Sequence, residues 1–324
     1  LSASLDPIRA LVAADMAAVD ALIRRRLDSD VVLVRQVAEY IIASGGKRLR
    51  PALVLLAAGA CGYRGPHHHE LAAVVEFIHT ATLLHDDVVD ESELRRGRRT
   101  ANAAFGNAAS VLVGDFLYSR AFQMMVGVQS MRVMEVLAEA TNTIAEGEVM
   151  QLLNVHNADV GEEEYLEVVR RKTAKLFEAS ARLGAILGGA SPGVEAGFAT
   201  YGRHLGTAFQ LVDDVLDYSG DLHETGKNLG DDLNEGKPTL PLIHVMRRGT
   251  PAQTATVRRA IEEGGREAFA AVLDAIRASG ALEVARGQAR AEAGAACDAL
   301  APAGDSAYKQ GLLHLAAFAV ERNY

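Results

Sequence analysis

Two trios of aspartates share one spacing. Asp86, Asp87 and Asp90 form one Asp-Asp-x-x-Asp, and Asp213, Asp214 and Asp217 form the other. On an α-helix the outer two of each trio lie one turn apart on one face, and the middle one points about a quarter-turn away. Acidic residues on helices are ordinarily solvated surface. These trios instead sit in strongly apolar stretches, where unpaired carboxylates are costly. Two such clusters facing each other repel unless cations neutralise them. Hard oxygen donors on facing helices suit Mg²⁺, which takes one or two carboxylates and keeps positions for water and phosphate oxygens. No His/Cys set with zinc spacing is visible. The chemistry indicated is a metal-bridged di- or triphosphate between two helices.

A phosphate site also needs protein cations. Gly45-Gly46-Lys47-Arg48-Leu49-Arg50-Pro51 is a glycine turn carrying three of them. Leu94-Arg95-Arg96-Gly97-Arg98-Arg99 follows the first aspartates, and Lys172-Thr173 lies mid-helix with Lys175 behind it. Gly226-Lys227-Asn228 and Gly236-Lys237-Pro238 flank Asp231-Asp232 after the second trio. Any one of these reads as solvated surface. Together, around two matching aspartate helices, they are hard to explain as decoration. The glycine turn does not have Walker A spacing and no parallel-sheet pattern surrounds it, which disfavours a P-loop ATPase.

The elements that must position these residues are helices. Of 324 residues 49% are hydrophobic, mainly Ala, Leu and Val, with aromatics at 5% and no Trp. Apolar residues recur at three and four positions, and convincing period-two alternation is absent, so roughly a dozen helices are expected. Breaks fall near 28–30, 44–50, 62–68, 92–106, 127–130, 156–161, 189–193, 219–238, 248–251 and 301–305, most of them marked by Gly, Pro or Ser. No Pro/Ser-rich linker separates two halves, so residues 1–324 read as one all-α domain. The net charge of −9 argues against a broad nucleic-acid surface. No charge-free apolar stretch is long enough to span a membrane. The first twenty residues lack a signal-peptide layout. Cys61 and Cys297 make no disulfide framework and point to a reducing compartment, the cytoplasm. His67-His68-His69 lies beside Cys61 in a Gly/Pro loop, without a spaced set of further ligands, and reads as surface rather than a metal site.

At these motifs the chain resembles the trans-isoprenyl diphosphate synthases, or polyprenyl synthetases. The likeness runs in order through Gly45–Pro51, His79 to Asp90, Arg95-Arg96-Gly97, Gly114-Asp115, Lys172-Thr173, Phe209-Gln210 to Asp217, and Gly226-Lys227 through Lys237-Pro238. It implies a helical bundle around a deep central cavity, usually as a homodimer, condensing isopentenyl diphosphate with an allylic diphosphate. It implies Asp86, Asp90 and Asp213 as main Mg²⁺ ligands, helped by Asp87, Asp214 and Asp217, with about three ions per site when diphosphate is bound. It assigns Arg95, Lys172, Thr173, Gln210, Lys227 and Lys237 to the allylic diphosphate. It assigns Lys47, Arg50, His79 and Arg96 to isopentenyl diphosphate. Among these, Asp86, Asp90, Asp213, Lys172 and Lys227 are the expected catalytic residues.

Product length should depend on the wall below the first aspartates. Ala81 and Thr82, one turn earlier, are small where short-chain members of the family carry an aromatic. Phe116, Phe122, Met124 and Met125 on the following helix are candidates for the floor, though core packing explains any one of them. Val88 to Gly97 also resembles the long-chain quinone-tail synthases. A product of about eight to ten isoprene units follows from that likeness and an open helix-lined cavity, with transient membrane contact for its release. The alternatives are a short-chain farnesyl or geranylgeranyl diphosphate synthase, a terpene cyclase, which should lack Lys47, Arg50 and Arg96, and a non-catalytic subunit, which should lack one aspartate trio. Arg322, near the C-terminal end, is long enough to reach phosphate, and the sequence alone does not settle its role.

Overall fold

Ala, Leu and Val at helical spacing organise the chain around one helix that is apolar on nearly every side. In the computed structural model, which describes residues 4–43, 45–95, 97–219, 229–264 and 266–322, that helix is α5 (His67–Val89). Arg96 and Lys227 lie outside the described residues. Leu71 to Val75, Phe77, Ile78, Ala81 and Leu84 of α5 are all buried. A helix without a polar face must be surrounded. Helices α2 (Ala13–Arg26), α4 (Leu49–Ala60), α7 (Asn107–Gly127) and α10 (Lys175–Leu187) pack against it. Each large aliphatic side chain buried there contributes about 1.5–3 kcal/mol. The burial therefore fixes the direction of the helix that carries Asp86 and Asp90.

Around this centre run α1 (Asp6–Leu11), α3 (Val32–Ala43), α6 (Ala101–Phe105), α8 (Met131–Asn154), α9 (Glu162–Val169) and α11 (Pro192–Ser219). The C-terminal part adds α12 (Asp231–Asn234), α13 (Leu240–Arg248), α14 (Pro251–Glu263), α15 (Phe269–Ser279), α16 (Ala281–Ala299) and α17 (Ala307–Glu321). Side-chain caps fix several starts. Ser130 accepts from the Val133 amide at α8, Ser306 accepts from Lys309 at α17, and Thr250 and Gln253 form a capping box at α14. The buried apolar side chains form a main core and two smaller clusters. Helix α11 runs through all three, with Leu205 in the first, Tyr218 in the second and Leu211 and Val215 in the third.

The all-α expectation holds, with three local departures. A two-stranded hairpin, β1 (Leu94–Arg95) and β2 (Arg98–Arg99), interrupts the loop after α5, pairing Leu94 with Arg99 and Arg95 with Arg98. Strands this short carry no alternation to read. Gly264 and Gly280, both at positive φ, divide the region after residue 250 into more helices than its apolar periodicity suggested. The three histidines 67–69 open α5 rather than lying in a loop.

Candidate active site

Asp86 and Asp90 lie at the C-terminal end of α5 and face a cavity of about 720 Å³. Asp87 does not. One residue further around the helix, it is 0% exposed and takes hydrogen bonds on Oδ1 from Arg95 Nε at 2.9 Å and Nη2 at 2.6 Å. Its own carbonyl accepts from the Ser92 amide and from Asn102 Nδ2. Asp87 thus anchors the hairpin and aims Arg95 at the cavity it lines. Asp87, expected as a helper in holding metal, is here engaged by Arg95 instead, because the 100° step along a helix turns its side chain away from its neighbour's cleft.

The second trio lies on α11. Asp213, Asp214 and Asp217 all line the cavity. Asp214 is deeply buried, accepting from the Tyr165 hydroxyl and from Gln210 Nε2 at 2.8 Å. Gln210 in turn accepts from Thr173 Oγ1 at 3.1 Å. Asp213 pairs with Arg322 Nη2 at 2.7 Å, and the same nitrogen donates to the Phe209 carbonyl. The Arg322 guanidinium lies 3.7 Å from the centre of the Phe209 ring. Arg322 therefore reaches the acidic site directly and is buried there.

A short segment joins the two acidic helices. The Asp232 amide donates to Asp217 Oδ2 at 3.3 Å. Five residues on, Lys237 Nζ lies 2.8 Å from Asp90 Oδ2 and 2.6 Å from Glu235. Lys172 answers the first trio from another direction, 3.7 Å from Asp86, 2.6 Å from Glu148 and 2.6 Å from the Gln151 amide oxygen. Lys172 and Thr173 belong to a single π turn, Arg170–Ala174, between α9 and α10. Such turns often mark functional sites. Two glycines make room for it. A Cβ on Gly147 would come within 2.6 Å of the Lys172 backbone nitrogen, and one on Gly206 within 2.6 Å of Ala174 Cα.

Lys47, Arg50 and His79 also line the cavity. Lys47 Nζ is 6.0 Å from the Phe318 ring centre and the Arg50 guanidinium is 4.5 Å from that of Phe177. Arg48 between them is bound to Glu76.

The charge balance around the aspartates is uneven. Burial pushes the Asp86 carboxyl up, Lys172 opposes the shift and Asp90 adds to it. Burial raises Glu148 to about 7, against Lys172 and with help from Asp86 and Asp90. Burial raises Asp214 to about 8, reinforced by Asp232. These carboxylates are poorly compensated by the protein's own cations. Their donor atoms are all oxygen, so the set fits a hard divalent cation such as Mg²⁺.

The wall expectation needs revision. Of Ala81, Thr82, Phe116 and Met124, only Thr82 lines the cavity. Ala81 and Met124 are packed in the main core, and Phe116 rests on that core with the Arg120 guanidinium 4.8 Å from its ring centre. Ala81 and Thr82 are one helical step apart and so face different surroundings. The sequence reading missed Glu148, Gln151, Tyr165 and Glu235. The spacing of Glu148 and Gln151 at i and i+3 on α8 is the one signal that could have marked them.

Facing aspartate helices, a basic rim and a helix-walled cleft define the class: this is the all-α isoprenoid synthase fold. The polyprenyl synthetase family model matches residues 31–277, and the chain belongs to that family. It is 56% identical to the octaprenyl diphosphate synthase of Escherichia coli K12 over 321 residues, covering 99% of both chains. A polyprenyl synthase from Caulobacter crescentus CB15, crystallised with calcium and isoprenyl diphosphate, superposes with a TM-score of 0.97 at 46% identity, covering 100% of this chain and 99% of that one. A decaprenyl diphosphate synthase from Rhodobacter capsulatus gives 0.94 at 47% identity, covering 99% and 100%.

Proposed function

We propose that this protein is a Mg²⁺-dependent prenyltransferase that adds isopentenyl diphosphate units to an allylic diphosphate, giving a long all-trans polyprenyl diphosphate for a quinone side chain. The observation that carries this reading is the pair of aspartate helices facing one cavity, joined by the 232–237 segment and ringed by Arg95, Lys172 and Lys237. Similarity to octaprenyl and decaprenyl synthases supports a long product, about eight to ten units in a helix-lined cavity.

Asp86, Asp90 and Asp213 would hold Mg²⁺, with Asp214 and Asp217 behind them, about three ions for a bound diphosphate. When bound, the metal supplies Lewis-acid stabilisation of phosphate oxygens. The chain's own residues do the rest. Arg95, Lys172 and Lys237 place positive charge where the departing diphosphate gathers negative charge, which makes ionisation to an allylic cation feasible, and by its motif Lys227 is assigned to the same diphosphate. Thr173 and Gln210 orient that diphosphate. Lys47, Arg50 and His79, with Arg96, hold isopentenyl diphosphate so that its double bond meets the cation. The departing diphosphate is itself a base for the proton then lost. Asp87 acts through Arg95, as a positioning residue.

Exposed apolar stripes support a homodimer. Val111, Phe122 and Val126 share one stripe of α7, and Val149, Leu152 and Leu153 share one of α8. A second copy covering them would remove that surface from water. No helix among the described residues is long and apolar enough to cross a membrane. A cytoplasmic enzyme meeting a lipid surface briefly, to release its apolar product, is the arrangement proposed. The test is to incubate the pure protein with labelled isopentenyl diphosphate, Mg²⁺ and each allylic primer, and to size the products. Chains of about eight to ten units are expected from the likeness to octaprenyl and decaprenyl synthases and the helix-lined cavity. Products ending at farnesyl or geranylgeranyl length would replace this reading with the short-chain one.

A further inference from the structure

The first turn of α5 holds a second group of potential ligands, far from the aspartates. His68 Nε2 lies 3.3 Å and His69 Nε2 2.9 Å from the same oxygen, Asp15 Oδ1 on α2. All three atoms fall within 4.8 Å of one another. His68 and Asp86 are on one helix, 18 residues and so about 27 Å apart. The cluster is therefore separate from the Mg²⁺ site.

We propose that Asp15, His68 and His69 bind a divalent transition-metal ion of the zinc class, with an outer position left for water. Bonds of about 2.0–2.2 Å in a tetrahedron set neighbouring ligand atoms about 3.3 Å apart. The His68 distance already has that value, and His69 needs to withdraw by a few tenths of an ångström. Two imidazole nitrogens and one carboxylate oxygen are a donor set for a borderline-soft ion and a poor one for Mg²⁺. The three side chains are partly covered, at 14%, 27% and 34% exposure for His68, His69 and Asp15, so an ion can enter and keep a water. Tyr63 packs edge-on against His68, with ring centres 5.5 Å apart, and limits how that ring can turn. The partial positive charge at the start of a helix opposes a cation. The Asp15 carboxylate offsets this, and a site with moderate affinity is the result. Bound metal would tie α2 to the start of α5.

The test uses the untagged full-length chain in excess Mg²⁺, which keeps the aspartate cleft supplied with its own ion. Zn²⁺ is titrated against a chromogenic chelator, Co²⁺ is titrated by visible absorption, and thermal midpoints are recorded with and without Zn²⁺. The expected result is one equivalent of Zn²⁺ per chain, tetrahedral Co²⁺ bands, and a midpoint raised by Zn²⁺. His68→Gln/His69→Gln and Asp15→Asn, with helicity and prenyl transfer in Mg²⁺ retained, should each lose all three. Wild-type protein that takes up no Zn²⁺ overturns the proposal. So does uptake that is unchanged in both variants, which would mean that the ion sits elsewhere.

Discussion

The two adjacent aspartates at 86 and 87 should fail in opposite ways. Asp86→Ala removes a carboxylate that burial and Asp90 already disfavour, and whose nearest cation, Lys172, stands 3.7 Å away with Glu148 closer to it. A carboxyl whose folded pKa is raised opposes folding once it ionises. Its loss should leave the metal-free protein as stable as the parent, or slightly more so. Asp87→Ala removes the buried carboxylate that holds the half-buried Arg95 guanidinium by two hydrogen bonds. Losing such charged hydrogen bonds costs about 1.5–3 kcal/mol, and the hairpin also loses its anchor. Turnover should reverse the order of concern. Removing one preorganised charge-stabilising group costs about 10²–10³ in rate, and Asp86→Ala should lose at least that, without loss of helicity. The assays are urea unfolding in chelator and incorporation of labelled isopentenyl diphosphate across a Mg²⁺ series. Equal stability of the two variants would refute the division of roles, and near-normal turnover by Asp86→Ala would remove the metal assignment.

Three further outcomes follow from the same geometry. Metal-free protein should lose stability as pH rises from the ordinary carboxylate range through about 7 and 8, where Glu148 and Asp214 ionise in the folded state. Their raised values mean that the folded form binds more protons across that window, and thermal midpoints with Mg²⁺ present should fall less steeply. Arg322→Ala frees Asp213 from a competing cation. The Mg²⁺ concentration for half-maximal activity should drop by about tenfold, the equivalent of one charged hydrogen bond, and a rise instead would contradict the competition. Thr82→Phe should project into the cavity and shorten the product, whereas Ala81→Phe should overpack the core at a cost of about 1–3 kcal/mol. Product chromatography and thermal unfolding separate the two, and an unaltered product distribution for Thr82→Phe would remove the cavity from control of length.

The helices were legible because burial repeats with the helical period. The long apolar runs of α4 and α5 have few other ways to fold. The aspartate trios were legible for the same reason, since i and i+4 put Asp86 beside Asp90 and Asp213 beside Asp217. What one helix cannot reveal is which neighbour covers which face. Asp87 reads like Asp86 until Arg95 folds back over it. Ala81 reads like Thr82 until the main core closes around it. Glu148 stands three residues before Gln151, a spacing that gains its meaning only from Lys172 on the packed π turn. Asp15 is 53 residues from His68, and only the packing of α2 on α5 brings them together.

The anions and cations of this site also come from different kinds of backbone, and the reason is geometric. Sharing one small cation requires two carboxylates a few ångströms apart on one surface. A regular helix supplies that at every turn, and both trios stand on regular α-helices, with Asp90 at the C-cap of α5. A diphosphate is larger and presents oxygens in several directions. Cations must converge on it from different sides, which no single helix face allows. They come from irregular places. Lys47 precedes Arg48, which is left-handed at φ 52°, and Arg50 lies just beyond it in the first turn of α4. Arg95 precedes the hairpin turn at Gly97, Lys172 lies in the π turn, and Lys237 follows Gly236 at positive φ. A π turn widens the helix, so that Lys172 and Thr173, consecutive in sequence, both reach the cavity. Replacing Gly147 with Ala tests this directly. Its Cβ meets backbone, not a flexible side chain, so the turn itself must shift. The affinity for allylic diphosphate should fall while binding of isopentenyl diphosphate, which Lys47 and Arg50 are proposed to hold, should not. An equal loss of both would mean that the turn supports the whole bundle rather than one phosphate.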